Sequence, residues 1–525
     1  FSDGWDAYQE RVFERQKAMG WIPVDTTRPP RPEEMPAWKD LSDKERAFQE
    51  RLMEVYAGFF EHTDVQVCKL IDELEARGIR DNTLIIYILS DNGASAEGMG
   101  GSVAELNAQN AIPTSVDEHI AMAEKLGGLK AIGGPRMDNM YHSAWAWAGD
   151  SPFRYTKLIA ADWGGTRTPM VISWPKRIKP DKTPRPQFHH VNDVVPTIYE
   201  ILGITPPKVV DGHKQDPIDG TSFAYTFDSA SAPEQKKTQY FDIMGSRGIY
   251  HEGWMASTFG PKKPWVADAI DLSQWDPMED QWQLFDTRKD FSLMHDLAAE
   301  KPEKLEELKT LFMEVAAENK ALPIGGGLFT PFNPQEQKRS TNTEWTLFDG
   351  MTRIPESQAP NVRNGNLRAE IETEVPANVN GVIFAMGGYA GGVSLYAVDG
   401  ELRYEYSALL LKRDKITVGK LPAGKVKIAF EMRTPLERAA PAEVVFWIND
   451  KEAASGTVQR TVPLTFTASE TFDVGMDTCS PVADDYFEKA PFPFEGQLER
   501  LYFKNLQAER PAFTRSPETS TGRCP

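Results

Sequence analysis

The stretch that most constrains this chain is Asn82 to Gly93, Asn-Thr-Leu-Ile-Ile-Tyr-Ile-Leu-Ser-Asp-Asn-Gly. Leu84 to Leu89 is a short apolar run, rich in isoleucine and bounded by turn formers. Such a run predicts a β-strand buried on both faces, as in the sheet of an α/β domain. The sequence then turns polar at once, Ser90-Asp91-Asn92-Gly93. Ligands of open α/β sheets bind outside the carboxyl ends of the strands. Asp91 and Asn92 offer hard oxygen donors there, suited to a hard divalent cation such as calcium. The competing assignment for the same residues is an ordinary Asp-Asn-Gly turn, and the rest of the chain has to choose between them.

At 525 residues the chain exceeds one compact domain. Its formal net charge of -19 provides no basic field to collect phosphates, which argues against nucleic acid or an anionic membrane surface as partner. No apolar run approaches a bilayer span. Cys68, Cys479 and Cys524 are too few for a disulfide scaffold and lack zinc spacing, leaving room for one bridge. The opening Phe1-Ser-Asp-Gly-Trp-Asp has neither initiator methionine nor signal peptide, and reads as the middle of a protein. The residues therefore give no compartment, with a periplasmic setting preferred to a cytoplasmic one.

Taken in order, a charged helix over Tyr8 to Met19 leads into a proline-rich connector. Ser42 and Glu45 have capping-box spacing for a helix from Asp43 to Arg77, closed by Gly78. Phe48, Leu52, Val55, Phe59 and Phe60 form its apolar stripe. After the strand, residues 94–150 are glycine-rich and irregular, and end in Tyr141-His142-Ser-Ala-Trp145-Ala-Trp147. A long excursion after a strand end marks a site rim, so Tyr141, His142 and Trp145 are candidate substrate contacts; stapling of the loop to the core is the alternative. Met170 to Pro175 is a second short strand. His189-His190-Val-Asn-Asp193 precedes a helix over Val194 to Leu202 closed by Gly203; adjacent histidines diverge, so capping and packing are expected of them.

Strands near Tyr240–Met244, Gly248–Tyr250 and Gly253–Ser257, with a helix from Pro302 to Asn319, predict a small antiparallel sheet covered by one helix. Beyond a glycine- and proline-rich linker the period becomes two, as in Leu367-Arg-Ala-Glu-Ile-Glu-Thr. Hairpin signals stand at Asp399-Gly400 and Asn449-Asp450, which predicts a β-sandwich or jelly roll. The basic run Lys412, Arg413, Lys415, Lys420, Lys425 and Lys427 is expected to be a solvated face.

Four spaced motifs, Ser90-Asp-Asn-Gly93, Pro152-Phe-Arg-Tyr-Thr-Lys157, Gly164-Gly-Thr-Arg-Thr-Pro169 and Asn192-Asp-Val-Val-Pro-Thr197, together resemble the type I sulfatases of the alkaline phosphatase superfamily. The large bacterial arylsulfatases, which carry an extra β domain, are the nearest in kind. The resemblance implies an α/β fold: an alkaline-phosphatase-like sheet with helices on both faces, a small α+β subdomain and a C-terminal β-sandwich. The boundaries implied are 1–235, 236–325, a linker at 326–344, and 345–525. It further implies Ca2+ as cofactor with Asp91 and Asn92 as two of its ligands. Lys157 would bind the sulfate and polarise the bridging oxygen.

The family's nucleophile, a formylglycine made within C-x-P-x-R, has no counterpart here. Cys68 is followed by Lys-Leu-Ile, and Cys479-Ser-Pro-Val-Ala483 ends in alanine within the β region. The chain is therefore expected to lack an upstream segment that bears the nucleophile and to be inactive alone, with its own cleaved N-terminal segment as a candidate partner. The expected substrate is a small-molecule sulfate monoester of aryl type. Two alternatives are a phosphonate or phosphate monoester hydrolase of the same superfamily, and a non-catalytic protein that binds sulfated glycans through the β-sandwich.

Overall fold

The Leu84–Leu89 run forms a strand, β1 (Ile85–Ile88), in the computed structural model, which describes residues 1–261, 265, 275–325 and 342–506. It pairs antiparallel with β2 (Met170–Ser173), Ile85 opposite Ser173 and Ile88 opposite Met170. The expectation of a strand buried on both faces is not met. Every residue of β1 is half-buried, and Val171 on β2 is exposed. The reason is the missing second neighbour: among the described residues each strand pairs only with the other, leaving one edge of each open.

The chain divides into two compact units, residues 1–133 with 139–337, and residues 134–138 with 338–525. The helices of the first unit are α1 (Gly4–Ala18), α2 (Asp43–Ala76), the one-turn α3 (Leu106–Gln109), α4 (Val116–Lys125), α5 (Ser143–Gly149), the one-turn α6 (Trp163–Thr166), α7 (Val194–Leu202) and α8 (Pro302–Glu318). The capping box at α2 is formed: the Glu45 amide donates to Ser42 Oγ and the Ser42 amide to Glu45 Oε2. Its stripe buries only at the start. Phe48 and Leu52 are buried, whereas Phe59 is 68% exposed. Gly78 and Gly203 terminate α2 and α7 with φ of +68° and +65°, the left-handed conformation that suits glycine. Helix α4 falls in the stretch read as irregular, with its own box between Ser115 and Glu118.

After a two-residue hairpin of β3 (Val209–Val210) and β4 (His213–Lys214) comes a four-stranded antiparallel sheet. Its strands β5 (Thr238–Ile243), β6 (Ser246–His251), β7 (Trp254–Thr258) and β8 (Gln283–Asp286) lie in sequence order. Helix α8 covers one face, with Leu308, Phe312 and Ala316 against Ile249, Ala256 and Leu284. Phe153 and Trp163 join Tyr250, Met255, Phe285 and Leu293 in another cluster, which anchors the 151–165 loop.

The second unit holds two six-stranded antiparallel sheets. Strand Leu367–Val375 alternates in burial, so Leu367, Ala369, Ile371, Thr373 and Val375 line one face. Phe384 of one sheet packs 5.9 Å from Phe430 and 5.6 Å from Phe503 of the other, ring centre to ring centre. Both hairpin signals are formed, with positive φ at Asp399 and Gly400 and at Asn449 and Asp450, the requirement of tight two-residue turns. Four residues of the basic run are ion-paired: Arg413 with Glu405, Lys415 with Asp485, Lys425 with Glu499, and Lys427 with Glu370 and Asp450. The expected linker falls largely on residues 326–341, and Cys524 at the end of the chain; both lie outside the described residues. Among the described residues Cys68 and Cys479 form no disulfide.

Asp477 is 2% exposed in this unit and accepts from the Tyr486 hydroxyl at 2.6 Å and the Val482 amide at 2.9 Å. Burial raises its carboxyl to about 7 against the pull of those two hydrogen bonds, with Asp473 and Glu470 adding to the rise. The folded carboxyl thus holds its proton more tightly than the unfolded chain. Its contribution is fully present below the ordinary carboxylate range and is lost as pH rises toward 7. Between pH 5 and pH 7 stability falls by about 2 kcal/mol through this one group, since each tenfold change in proton activity counts for roughly 1.4 kcal/mol. Asp477→Asn, which keeps an acceptor oxygen, should flatten that slope in denaturant unfolding curves of this unit; an unchanged slope would refute the assignment.

Candidate active site

The polar tip after β1 is locked to the 150–167 loop by the backbone. Leu89 N–H donates to the Pro169 carbonyl at 3.0 Å, and Gly93 N–H to that of Gly165 at 3.3 Å. A Cβ on Gly93 would stand 1.6 Å from the Gly164 carbonyl oxygen, and one on Gly164 1.8 Å from that of Tyr155. Both positions therefore require glycine, which explains the Gly164-Gly165 pair. Ser90 has a φ of +75°, and its hydroxyl donates to the Asn92 carbonyl at 2.6 Å, closing the turn that presents Asp91 and Asn92.

Lys157 is bound into the same cluster. Its N–H donates to the Ala94 carbonyl at 3.1 Å, two residues beyond Asn92. Its Nζ donates to Glu97 Oε2 at 2.6 Å, with the lysine side chain 35% exposed and so within reach of a ligand. Asp150 holds the turn from behind, accepting the Ala94 N–H at 2.9 and 3.0 Å. Burial pushes its carboxyl well above the usual range, the Ala94 bond opposes, and the nearby Asp162 charge adds to the rise. Asp162, itself fully buried, caps α6 through the Gly164 N–H and accepts Arg154 Nε at 3.0 Å. Burial raises its carboxyl, and Arg154 offsets part of that rise.

The aromatic residues expected on the rim lie in the core instead. Tyr141 is 8% exposed, His142 7% and Trp145 1%. Trp145 meets Phe1, Trp5, Tyr8 and Trp38 edge-on at ring separations of 5.5 to 5.8 Å. His142 caps α5 by accepting the Ala144 N–H at its Nδ1 and stacks on Trp5. Burial lowers its pKa to about 4, so it is a neutral acceptor near pH 7. The loop is stapled down because its apolar area is worth more buried than displayed. The histidines at 189 and 190 serve as caps and braces: His190 accepts the Asn192 N–H, and His189 bridges Asp193 and Tyr225.

Sequence reasoning passed over Glu97, Asp150, Arg154 and Asp162. Arg154 and Asp162 lie within or beside quoted motifs, so a charge-pairing search of those motifs finds them; Glu97 has no local signal.

Chemically, the segment offers one accessible ammonium, held by Glu97, and two oxygen donors that accept no side-chain hydrogen bond among the described residues. Those donors fit calcium in kind. In number they fall short: a bidentate Asp91 and one Asn92 oxygen supply about three of the six to eight oxygens calcium takes. Among the described residues no group of three or more His, Cys, Asp or Glu side chains is placed to hold a metal ion.

A family model described as Sulfatase matches residues 21–204, which contain the whole cluster. An uncharacterised sulfatase of Schizosaccharomyces pombe is 29% identical over 328 residues, covering 61% of this chain and 53% of that protein. Residues 21–204 thus carry a sulfatase-family domain. The arylsulfatase of Klebsiella aerogenes is 28% identical over 241 residues, covering 46% of this chain and 47% of the relative. The chain thus spans about half the length of these curated relatives. A Bacteroides thetaiotaomicron structure titled for glycosaminoglycan metabolism shares 17% identity over 49% of this chain and 43% of that one, with a TM-score of 0.31.

Proposed function

We propose that this chain forms part of a catalytic centre that hydrolyses sulfate monoesters, of aryl type, with calcium as cofactor. The observation that carries the reading is the bond from Lys157 N–H to the Ala94 carbonyl. It ties the backbone of Lys157 to the strand end that bears Asp91 and Asn92, which supports a reading in which the ammonium and the oxygen donors serve one site. Asp91 and Asn92 would be two of the calcium ligands, and the ion would supply positive charge for the sulfuryl oxygens. Lys157 would hold a sulfate oxygen and neutralise the bridging oxygen as the sulfur–oxygen bond breaks. Glu97 would keep the Lys157 ammonium positioned before substrate arrives. The nucleophile, a formylglycine hydrate, would come from a segment outside this chain, so residues 1–525 alone should not turn over.

Asp91→Ala in the full-length protein should remove bound calcium and aryl sulfate turnover together, as read by elemental analysis and a chromogenic assay. Calcium content equal to wild type would contradict the ligand assignment. Preference for an aryl phosphonate over the matched sulfate would transfer the reading to the phosphonate hydrolases.

A further inference from the structure

A second concave site lies in the α+β part of the first unit, and its lining includes no residue of the Lys157 cluster. It is a cavity of about 300 Å3 lined by Trp254, Asp286, Lys289, Asp290, His295 and Lys301, among others. That volume is at the lower end for small-molecule sites. The backbone fixes its floor: Asp290 Oδ2 accepts the His295 N–H at 2.7 Å, and Asp286 Oδ1 the Arg288 N–H at 3.3 Å. Asp286 is 9% exposed and Asp290 7%, so both carboxylates are largely withdrawn from water. On the wall, the ammonium groups of Lys301 and Lys304 stand 6.0 Å from the Trp254 ring centroid, the outer limit of a cation–π contact. Lys304 is engaged by Glu307 at 2.7 Å. The side chains of Lys301 and His295, and Asp290 Oδ1, have no hydrogen-bond or ion-pair partner among the described residues.

These free groups converge on one small cavity, and their chemistry selects the ligand. Lys289 Nζ pairs with Asp286 Oδ2 at 3.4 Å, so those two charges offset each other. The remaining Lys301 ammonium disfavours a cation, and the Asp290 carboxylate a bare anion. An indole face flanked by carboxylate acceptors and an unpaired ammonium matches a neutral polyol body with an apolar face and one anionic substituent. We propose that this cavity is a saccharide-binding subsite for a pyranose unit bearing a sulfate or carboxylate group. The ring rests on Trp254, a ring hydroxyl donates to Asp290 Oδ1, and the substituent meets Lys301. This site is independent of the hydrolytic reading, because it is tested by binding and not by turnover.

The test is calorimetric titration of the full chain with a chondroitin sulfate tetrasaccharide, its chemically desulfated form, and inorganic sulfate. Saturable binding of the sulfated sugar is expected, with at least tenfold weaker affinity in Trp254→Ala. Because Trp254 also packs against the α8 core, the exposed Lys301→Ala is the second variant. It should weaken the sulfated sugar about tenfold, leave the desulfated one unchanged, and leave turnover of a small aryl sulfate by the full-length protein unchanged. Inorganic sulfate bound as tightly as the sulfated sugar, equal affinities in Lys301→Ala and wild type, or no saturable binding would each overturn the proposal.

Discussion

Lys236→Met is expected to destabilise the first unit by about 3–5 kcal/mol, the cost of removing one partner from a buried ion pair. Lys236 is 2% exposed and Asp193 fully buried, with Lys236 Nζ 2.7 Å from Asp193 Oδ1. Asp193 also accepts the Thr221 N–H at 2.8 Å, the His190 N–H at 2.9 Å and a bond with His189 Nδ1 at 2.9 Å. It thereby fastens the start of α7 to the 221–236 segment. Burial pushes the Asp193 carboxyl up, but the bonds from His189, Lys236 and the two amides outweigh it and hold the group below the ordinary value. A depressed carboxyl contributes stability above the unfolded carboxylate range and loses it as pH falls through the folded value. The deficit of Lys236→Met should therefore be full at pH 7 and shrink on acidification. Lys236→Arg should restore part of it, and the double change with Asp193→Asn should cost less than Lys236→Met alone, since no unpaired charge stays buried. Denaturant unfolding measures all three. A loss below about 1 kcal/mol at pH 7 would show that the pair is not what secures this corner.

What the sequence disclosed follows from the range of the forces involved. The Ser42–Glu45 box, the glycines at 78 and 203, and the Asp399-Gly400 and Asn449-Asp450 turns are local: each is settled by residues within four positions, and each is formed. Helix α4 had the same local signal in Ser115-x-x-Glu118, but the surrounding glycines masked it. Burial is not local. The apolar run at Leu84–Leu89 has the composition of a doubly covered strand, yet coverage depends on what else packs there, and β1 has one neighbour among the described residues. Tyr141, His142 and Trp145 failed as a rim for the converse reason, since their partners Tyr56, Trp5, Tyr8 and Trp38 lie far upstream. Asp91, Asn92 and Lys157 could be singled out as candidates because they sit in motifs. Glu97, sixty positions from Lys157, could be placed only by the fold.

Lys157→Ala is expected to lower kcat for an aryl sulfate by roughly 10²–10³-fold while calcium content is unchanged, the scale set by deleting one preorganised charge-stabilising donor. Its magnitude follows from where charge develops. The leaving oxygen gains negative charge only as the bond to sulfur breaks, so an ammonium at that position acts on kcat more than on substrate binding. Two features sharpen the test. Lys157 Nζ lies 2.6 Å from Glu97 Oε2, so truncating the lysine takes that partner from Glu97 and leaves its carboxylate beside the place for an anion. Glu97→Gln added to Lys157→Ala should therefore recover part of the lost rate, a coupling that a double-mutant cycle reads directly. The second feature is the leaving group. If Lys157 meets the bridging oxygen, the deficit should grow with the pKa of the departing phenol, because a poorer leaving group depends more on that charge. A deficit equal for every phenol would place Lys157 on a non-bridging oxygen, and a wild-type kcat with calcium retained would remove it from the reaction.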